Sequence, residues 1–386
     1  MATAVDVDDS DICDCRLEHE FGDITFSKFK KKDAIKELME CIQESKVEPA
    51  CFWSAELVCA GHFAELWETL IVFYASHIHI GNPKIARYLE LKANQFKDIL
   101  TTAGTAKLNI HFMRNNSSIR RMFGEIVFVL CVSKRKNEFN AIKMKESDFN
   151  MDVLHDKFKA YAEKSPQLEA VFKHDAMDAN IKDATDANVD DFDPIELFPA
   201  LNELAHCMSN KNSIQACYWM EWMFAYEQQR QKKGMLLCAR RVFCTVPESH
   251  QRNLVWLIWE LIRVETDSRN SRYLSQIVES LLFLFCMRFT KTTIKKRKSI
   301  LYFVIALLSE TSISTDEIVP KSNLESMAQI RQNIDFIYLQ VKANEIRTNR
   351  SESNTFKEMK EANLACTLQK LETMKKINET FVPRIG

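Results

Sequence analysis

Three side chains near the start of the chain, Cys13, Cys15 and His19, offer two thiols and an imidazole in a Cys-x-Cys-x3-His arrangement. These are good zinc ligands, but a structural zinc site takes four, usually as paired C-x2–4-C and H-x3–5-H elements. No partner cluster stands nearby, so the spacing argues against zinc, and no cofactor is expected. His77 and His79 stand just before Gly81-Asn82-Pro83. Two imidazoles at alternate positions chelate on a strand, but these end a helix, where histidine caps carbonyls and complements the dipole. In the aspartate-rich stretch 174–194, Asp186, Asn188 and Asp190 alternate as calcium ligands would. The sixth loop position is Asp191 in place of Gly and the twelfth Leu197 in place of Glu, so the stretch reads as a solvated linker.

Glu56, Glu65, Glu68, Glu221 and Glu260 lie near tryptophans on expected helices. Paired carboxylates do acid–base work when burial drives their pKa values apart. Nothing in the spacing makes two of these converge; solvated faces, or ion pairs with Arg87 and Arg272, account for them. No G-x-x-x-x-G-K-[ST] loop, G-x-S-x-G elbow or H-E-x-x-H helix occurs. No catalytic residue is assigned, and the chain is not expected to be an enzyme.

Positive charge is the remaining chemistry. Net charge is −1, so no global field draws the chain to nucleic acid or anionic lipid. Local clusters remain: "KFKKK" (28–32), "KRK" (134–136), "RQKK" (230–233) with Arg240 and Arg241, and Lys295, Lys296, Arg297 and Lys298. Fixed charge beside helix N-termini attracts phosphate, which makes Lys295, Lys296, Arg297, Lys298, Arg240 and Arg241 the candidate nucleic-acid contacts.

The elements that would position these groups are helices. Only 7 Gly and 8 Pro occur in 386 residues, too few for the turns of a chain of short strands. Helical periodicity begins at Asp33 and recurs over 62–77, 83–100 and 117–133. It returns after Pro194 over 194–209, 213–230, 234–244, 249–265, 270–288 and 293–309. Two longer helices, about 322–348 and 353–381, close the chain, the second with Phe356, Leu364, Leu368, Leu371, Met374, Ile377 and Phe381 on one stripe. "ILYFVIALL" and "IVFVLCV" are too short to cross a bilayer and read as core. Trp53, Trp67, Trp219, Trp222, Trp256 and Trp259 fall in apolar helical runs and are assigned to the structural core. The 12 cysteines suggest no disulfide framework, and "MATAVDVDDSD" is no signal peptide, so reduced thiols in an intracellular setting are expected.

Ala50-Cys51-Phe52-Trp53 returns as Ala216-Cys217-Tyr218-Trp219, and Arg87-Tyr88-Leu89 as Arg272-Tyr273-Leu274. Arg120-Arg121 has a rough counterpart in Arg297-Lys298. Three features in one order imply an all-α fold of two related multi-helix units in tandem with a C-terminal helical extension. The boundaries read 1–32 (acidic tail and arm), 33–165 (first unit), 166–193 (acidic linker), 194–312 (second unit) and 313–386 (extension).

"CFWSAEL…LWETL…HIHIGNPK", "IRRMFGEIVFVLCVSKRK" and "ACYWMEWM…CARR…VWLIWELI" resemble an uncharacterised helical family of large nucleocytoplasmic DNA viruses of algae and protists, over roughly residues 35–310. No functional residue carries over from it. The aromatic-Trp-x-Ala helix and Ile-Gly-Asn-Pro turn are more weakly similar to the helical collar domains of clamp-loader-type proteins, without an ATPase module. Abundant helical surface without an active-site constellation leads to the expectation of a non-catalytic scaffold or assembly protein working through protein–protein contacts or self-association, and the resemblance implies its setting, as a viral protein and minor virion component. Its setting would be host cytoplasm, nucleus or viral factory. The alternative is an accessory nucleic-acid-binding factor in viral DNA replication or transcription.

Overall fold

The computed structural model describes residues 11–104, 109–150, 154, 157–160, 166–173, 192–231, 236–243, 245–310 and 313–346. The expectations for the acidic tail before residue 11, for 174–191 with Asp186, Asn188 and Asp190, and for the closing helix 353–381 lie outside the described residues. The chain is all-α. Among the described residues the only β-type pairing is one isolated antiparallel bridge, Ile24 with Lys30, in the arm expected at 21–29.

The helices are α1 (Glu18–Phe21), α2 (Lys31–Gln43), α3 (Val47–Cys59), α4 (Phe63–His77), α5 (Lys84–Ala103), α6 (Ile110–Asn115), α7 (Ser117–Val132) and α8 (Pro166–Val171). They continue as α9 (Phe198–Ser209), α10 (Ser213–Gln231), α11 (Leu254–Ser268), α12 (Arg272–Cys286), α13 (Thr293–Lys296), α14 (Lys298–Ser309) and α15 (Leu324–Lys342). Their ends follow local chemistry. Asn116 caps α7 by accepting the Ile119 amide, Ser271 caps α12 through the Leu274 amide, and Gly61, at φ 80°, closes α3 where a side chain would strain the backbone. None of the described helices is long and apolar enough to cross a membrane.

Two compact units result: residues 11–135 with 315–346, and residues 136–314. The division differs from the expected one in several places: residues 11–32 fall within the first unit, and Leu168, Val171 and Phe172 of the expected linker are buried in the second. Residues 136–165 join the second unit, where Phe139 stacks on Tyr302, Phe149 on Trp222 and Phe158 on Trp219. Helix α15 completes the first unit and is no extension. Its Met327, Ile334, Tyr338 and Val341 are buried, and it packs against α3 and α7. Burying each such side chain contributes about 1.5–3 kcal/mol. Gly124 of α7 allows the close approach, since a Cβ there would lie 2.8 Å from Ile334 Cδ1. Arg120 then lies over the Tyr338 ring at 4.5 Å and pairs with Asp335 at 3.2 Å. Past α15, Ile346 donates to Asp14 and accepts from the Cys15 amide, tying the end of the unit to its beginning.

Each unit contains the same helical hairpin at a constant offset of 166 positions (Cys41 and Cys207, Ala50 and Ala216). In α2–α3 the amides of Glu44, Ser45, Lys46 and Ala50 donate to Glu40, Ile42, Cys41 and Lys46; in α9–α10 those of Asn210, Lys211, Asn212 and Ala216 donate to His206, Met208, Cys207 and Asn212. Ser45 and Lys211 share a left-handed conformation, φ 60° and 58°. Around each hairpin the packing repeats, with α7 on α2 and α3, and α14 on α9 and α10.

Two expected helices change form. Residues 236–243 are not helical, because their backbone is spent elsewhere: the amides of Cys238 and Arg241 donate to Arg252 and Gln251, and that of Ala239 to the Asp193 carboxylate. The helix expected over 293–309 breaks at Arg297 into α13 and α14.

Candidate docking groove

Several of the reactive side chains singled out by the sequence are engaged in internal structure. Arg297 is buried, and its Nη1 donates to the carbonyls of Leu284, Phe285 and Met287 at 2.8, 3.1 and 2.6 Å. It closes the C-terminus of α12, whose last carbonyls have no partner within the helix. Arg241 is buried too. It holds Asp193 in a two-pronged pair at 2.7 and 2.8 Å, pairs with Glu260, and donates to Val171 and Ala239 carbonyls. Lys298 gives its ammonium to Glu221 at 2.8 Å. Arg297 and Arg241 are corrected from nucleic-acid contacts to internal braces, since desolvated charges already paired have none left for phosphate; Lys298, paired with Glu221, keeps 31% of its side chain exposed. Arg240 is exposed and engages Glu248 and Gln251, while Lys295 and Lys296 are exposed.

The carboxylates do not pair with Arg87 and Arg272, both of which are exposed. Glu65 binds Lys31 at 2.9 Å, Glu221 accepts from Tyr302 and Lys298, and the fully buried Glu56 accepts the Ser27 amide at 2.9 Å. Glu68 is partly buried on α4. His79 is buried in the turn before α5 and His77 packs on Phe73, 4.7 Å between ring centres. Cys13 and Cys15 face solvent from an extended stretch whose alternate residues, Ile12, Asp14 and Arg16, face inward. Among the described residues no three metal-ligating side chains, Cys13, Cys15 and His19 included, gather into a metal site.

One polar trio looks like catalytic machinery until its protons are placed. Lys157 Nζ lies 2.8 Å from Asp148 and 2.7 Å from Tyr218 Oη, with Tyr218 also donating to Asp148 at 3.3 Å. Burial pushes the Tyr218 phenol up, while hydrogen bonds to Asp148 and Tyr218 outweigh burial and hold the Lys157 ammonium above its ordinary range. Both keep their protons at neutral pH, so neither is a base or nucleophile, and the trio pins residues 148–158 onto α10. The interior thiols are equally inert: burial pushes Cys59, Cys131, Cys207 and Cys217 up to about 12.

Five tryptophans are core. Trp67 packs with Phe96 and Phe123, Trp219 and Trp222 pack edge to face, and Trp256 and Trp259 share Phe285. Trp53 is corrected: it is only partly buried, covered edge-on by the exposed Phe29 at 5.2 Å. Next to Trp53, Phe52 lines a groove of about 820 Å³ with Val47, Pro49, Phe128, Ile330 and Ile337. Phe336 stands at its mouth, 48% exposed.

The groove is built by the two faces of α15. One face carries Met327, Ile334, Tyr338 and Val341 onto α3 and α7. The adjacent face, Ser326, Gln329, Ile330, Asn333, Phe336, Ile337 and Gln340, has the i, i+3, i+4, i+7 spacing of a single helical stripe and forms one wall. Residues 47–52 of α3 and Phe128 of α7 form the other wall and the floor. Sequence reading missed this groove. The signal was available: the apolar residues of 324–342 cover more of the helix than one packing face needs.

Set against models of protein families, curated proteins and solved structures, the chain finds no match. The groove must therefore be interpreted from its own chemistry. Its walls are aromatic and aliphatic with a polar rim of Glu48, Ser326, Gln329, Asn333 and Gln340, a surface that takes the apolar stripe of a helix.

Proposed function

We propose that this chain is a non-catalytic helical scaffold or assembly protein that acts through protein–protein contacts made at the groove along α15. The observation that carries the reading is Phe336, a large aromatic side chain half in solvent at the mouth of a preformed apolar groove. Exposed apolar surface bounded by polar residues marks an interaction site. The chemistry elsewhere supports it, because the buried cations and carboxylates singled out above serve as braces and caps. The shared hairpin, its loop repeated backbone hydrogen bond for hydrogen bond, supports the further reading that the two units arose by duplication. A viral setting, as a minor virion component, rests on the sequence resemblance alone. Of its six candidate contacts the nucleic-acid alternative keeps Lys295, Lys296 and Arg240 exposed and Lys298 partly so.

Cross-linking mass spectrometry on the full chain in its native setting tests the reading. Cross-links from α15 to a second protein at fixed stoichiometry, lost on Phe336→Asp, are expected; cross-links indifferent to that substitution refute it. Mass spectrometry of purified virions tests the setting, where the expected result is recovery at constant copy number.

A further inference from the structure

We propose that the resident occupant of the groove is the chain's own C-terminal amphipathic segment, residues 355–381, lying antiparallel to α15. The proposal rests on reading the groove as a protein-contact surface, and names what fills it.

Three observations converge. The first is an asymmetry between the repeated hairpins. Tyr218 and Trp219, the counterparts of Phe52 and Trp53, are covered by a stretch of their own chain: Lys157 lies 4.4 Å above the Tyr218 ring and Phe158 stacks on Trp219 at 5.4 Å. Phe52 and Tyr218 are both partly buried, but Trp219 is sealed under its own chain, whereas Trp53, with the edge of Phe29 against it, keeps part of its surface and Phe52 beside it lines the groove.

The second is the sequence that follows. Thr355-x-x-Glu358 has the sequence pattern of a capping box and Pro383 that of a stop, and the spacing of Phe356, Leu364, Leu368, Leu371, Met374, Ile377 and Phe381 would put them on one side of a helix. An apolar stripe of this kind has to be buried against something.

The third is reach. The groove face of α15 from Ser326 to Gln340 is about 21 Å long, and a helical stripe from Leu364 to Phe381 is about 26 Å. The described chain ends at Ile346, just past the Gln340 end of the groove. Residues 347–355 span up to about 30 Å when extended, ample for a reversal that lays the segment back along the helix it has just left. A second copy or a foreign helix must compete with a segment tethered this closely, whose effective concentration is on the order of millimolar.

The test is hydrogen exchange on the full chain, with molar mass from light scattering. A monomer is expected, with amides in 356–381 protected about tenfold or more over an unstructured chain. Leu368→Asp with Leu371→Asp removes the stripe, and Phe336→Asp alters the groove from the other side. Phe336 is half exposed, so that substitution leaves the core intact. Each is expected to abolish the protection of 356–381 while α7 stays protected. Unprotected amides in the wild-type segment overturn the proposal, as does protection that survives Phe336→Asp, or a dimer whose protection disappears on dilution to monomer. In the first case the groove's role toward other proteins stands or falls separately, on the Phe336→Asp cross-linking result.

Discussion

Replacing Arg297 by Met separates a brace from a nucleic-acid contact. Methionine preserves the length and apolar stem of the side chain but removes the guanidinium that reaches the carbonyls of Leu284, Phe285 and Met287. Two of these belong to the last turn of α12 and have no onward helical partner. Each buried group left without a donor costs about 1–3 kcal/mol. Carbonyls relax into alternative contacts more readily than charges do, so the lower end applies to each, and the sum is about 3 kcal/mol. For a urea slope of about 2 kcal/mol/M, the unfolding midpoint of the unit holding Arg297 falls by about 1.5 M. Lys295→Gln with Lys296→Gln, both in solvent, stays within about 0.5 kcal/mol of wild type. The assay is urea titration followed by the fluorescence of Trp256 and Trp259, which lie buried beside α12. A midpoint unchanged by Arg297→Met, with weakened DNA binding, would refute the brace and restore the phosphate reading.

Three further outcomes follow from the first unit. Gly124→Leu drives a side chain into Ile334 and is expected to cost about 1–3 kcal/mol, with lost hydrogen-exchange protection concentrated in α15; uniform loss across the unit would contradict the close-approach argument. Arg114→Met is expected to raise stability by about 1 kcal/mol in thermal unfolding. Its Nε and Nη1 are buried without a hydrogen-bond partner among the described residues, at about 1–3 kcal/mol each, against about 0.5–2 for its contacts with the Phe21 and Phe26 rings; a destabilised variant would mean the rings hold it more firmly. Burial lowers the pKa of His62 below 6.5, so its folded form favours the neutral ring. Its contribution to stability is complete above about pH 6.5 and is lost as pH falls toward the folded value. Asp14 and Glu65, both held below their ordinary range, lose theirs only nearer pH 4. His62→Gln should lessen, without abolishing, the fall in stability below about pH 6.5 in urea titrations, since burial also lowers the pKa of His111 in the same unit, and an unaltered slope would count against the assignment.

Helix content was legible because scarce glycine and proline and a 3.6-residue period are local properties. The hairpin duplication was visible as Ala-Cys-aromatic-Trp, and the structure extends it into the loop, where Ser45 and Lys211 share a conformation no composition rule marks. What sequence did not reveal was partnership at a distance. Arg297 and Lys295 look alike in "KKRK", yet one faces inward across a helix end and the other faces solvent, since that choice is made by α12. Arg241 likewise depends on Asp193, some fifty positions away, and its neighbourhood loses its helix to that arrangement. The groove needed α15 placed on α3 and α7, a contact across about two hundred residues that periodicity alone does not order. Trp53 could be assigned to a helix but not to a depth.

The interior thiols give the molecule a pair of built-in clocks. Among the described residues, Cys41, Cys51, Cys59 and Cys131 are sealed in the first unit and Cys207, Cys217, Cys238 and Cys286 in the second, while Cys13 and Cys15 stand open. An alkylating reagent therefore marks the outer pair at once and each sealed quartet only when its own unit breathes. Peptide-level timing of that capture would show whether the two halves of this chain loosen together or one before the other.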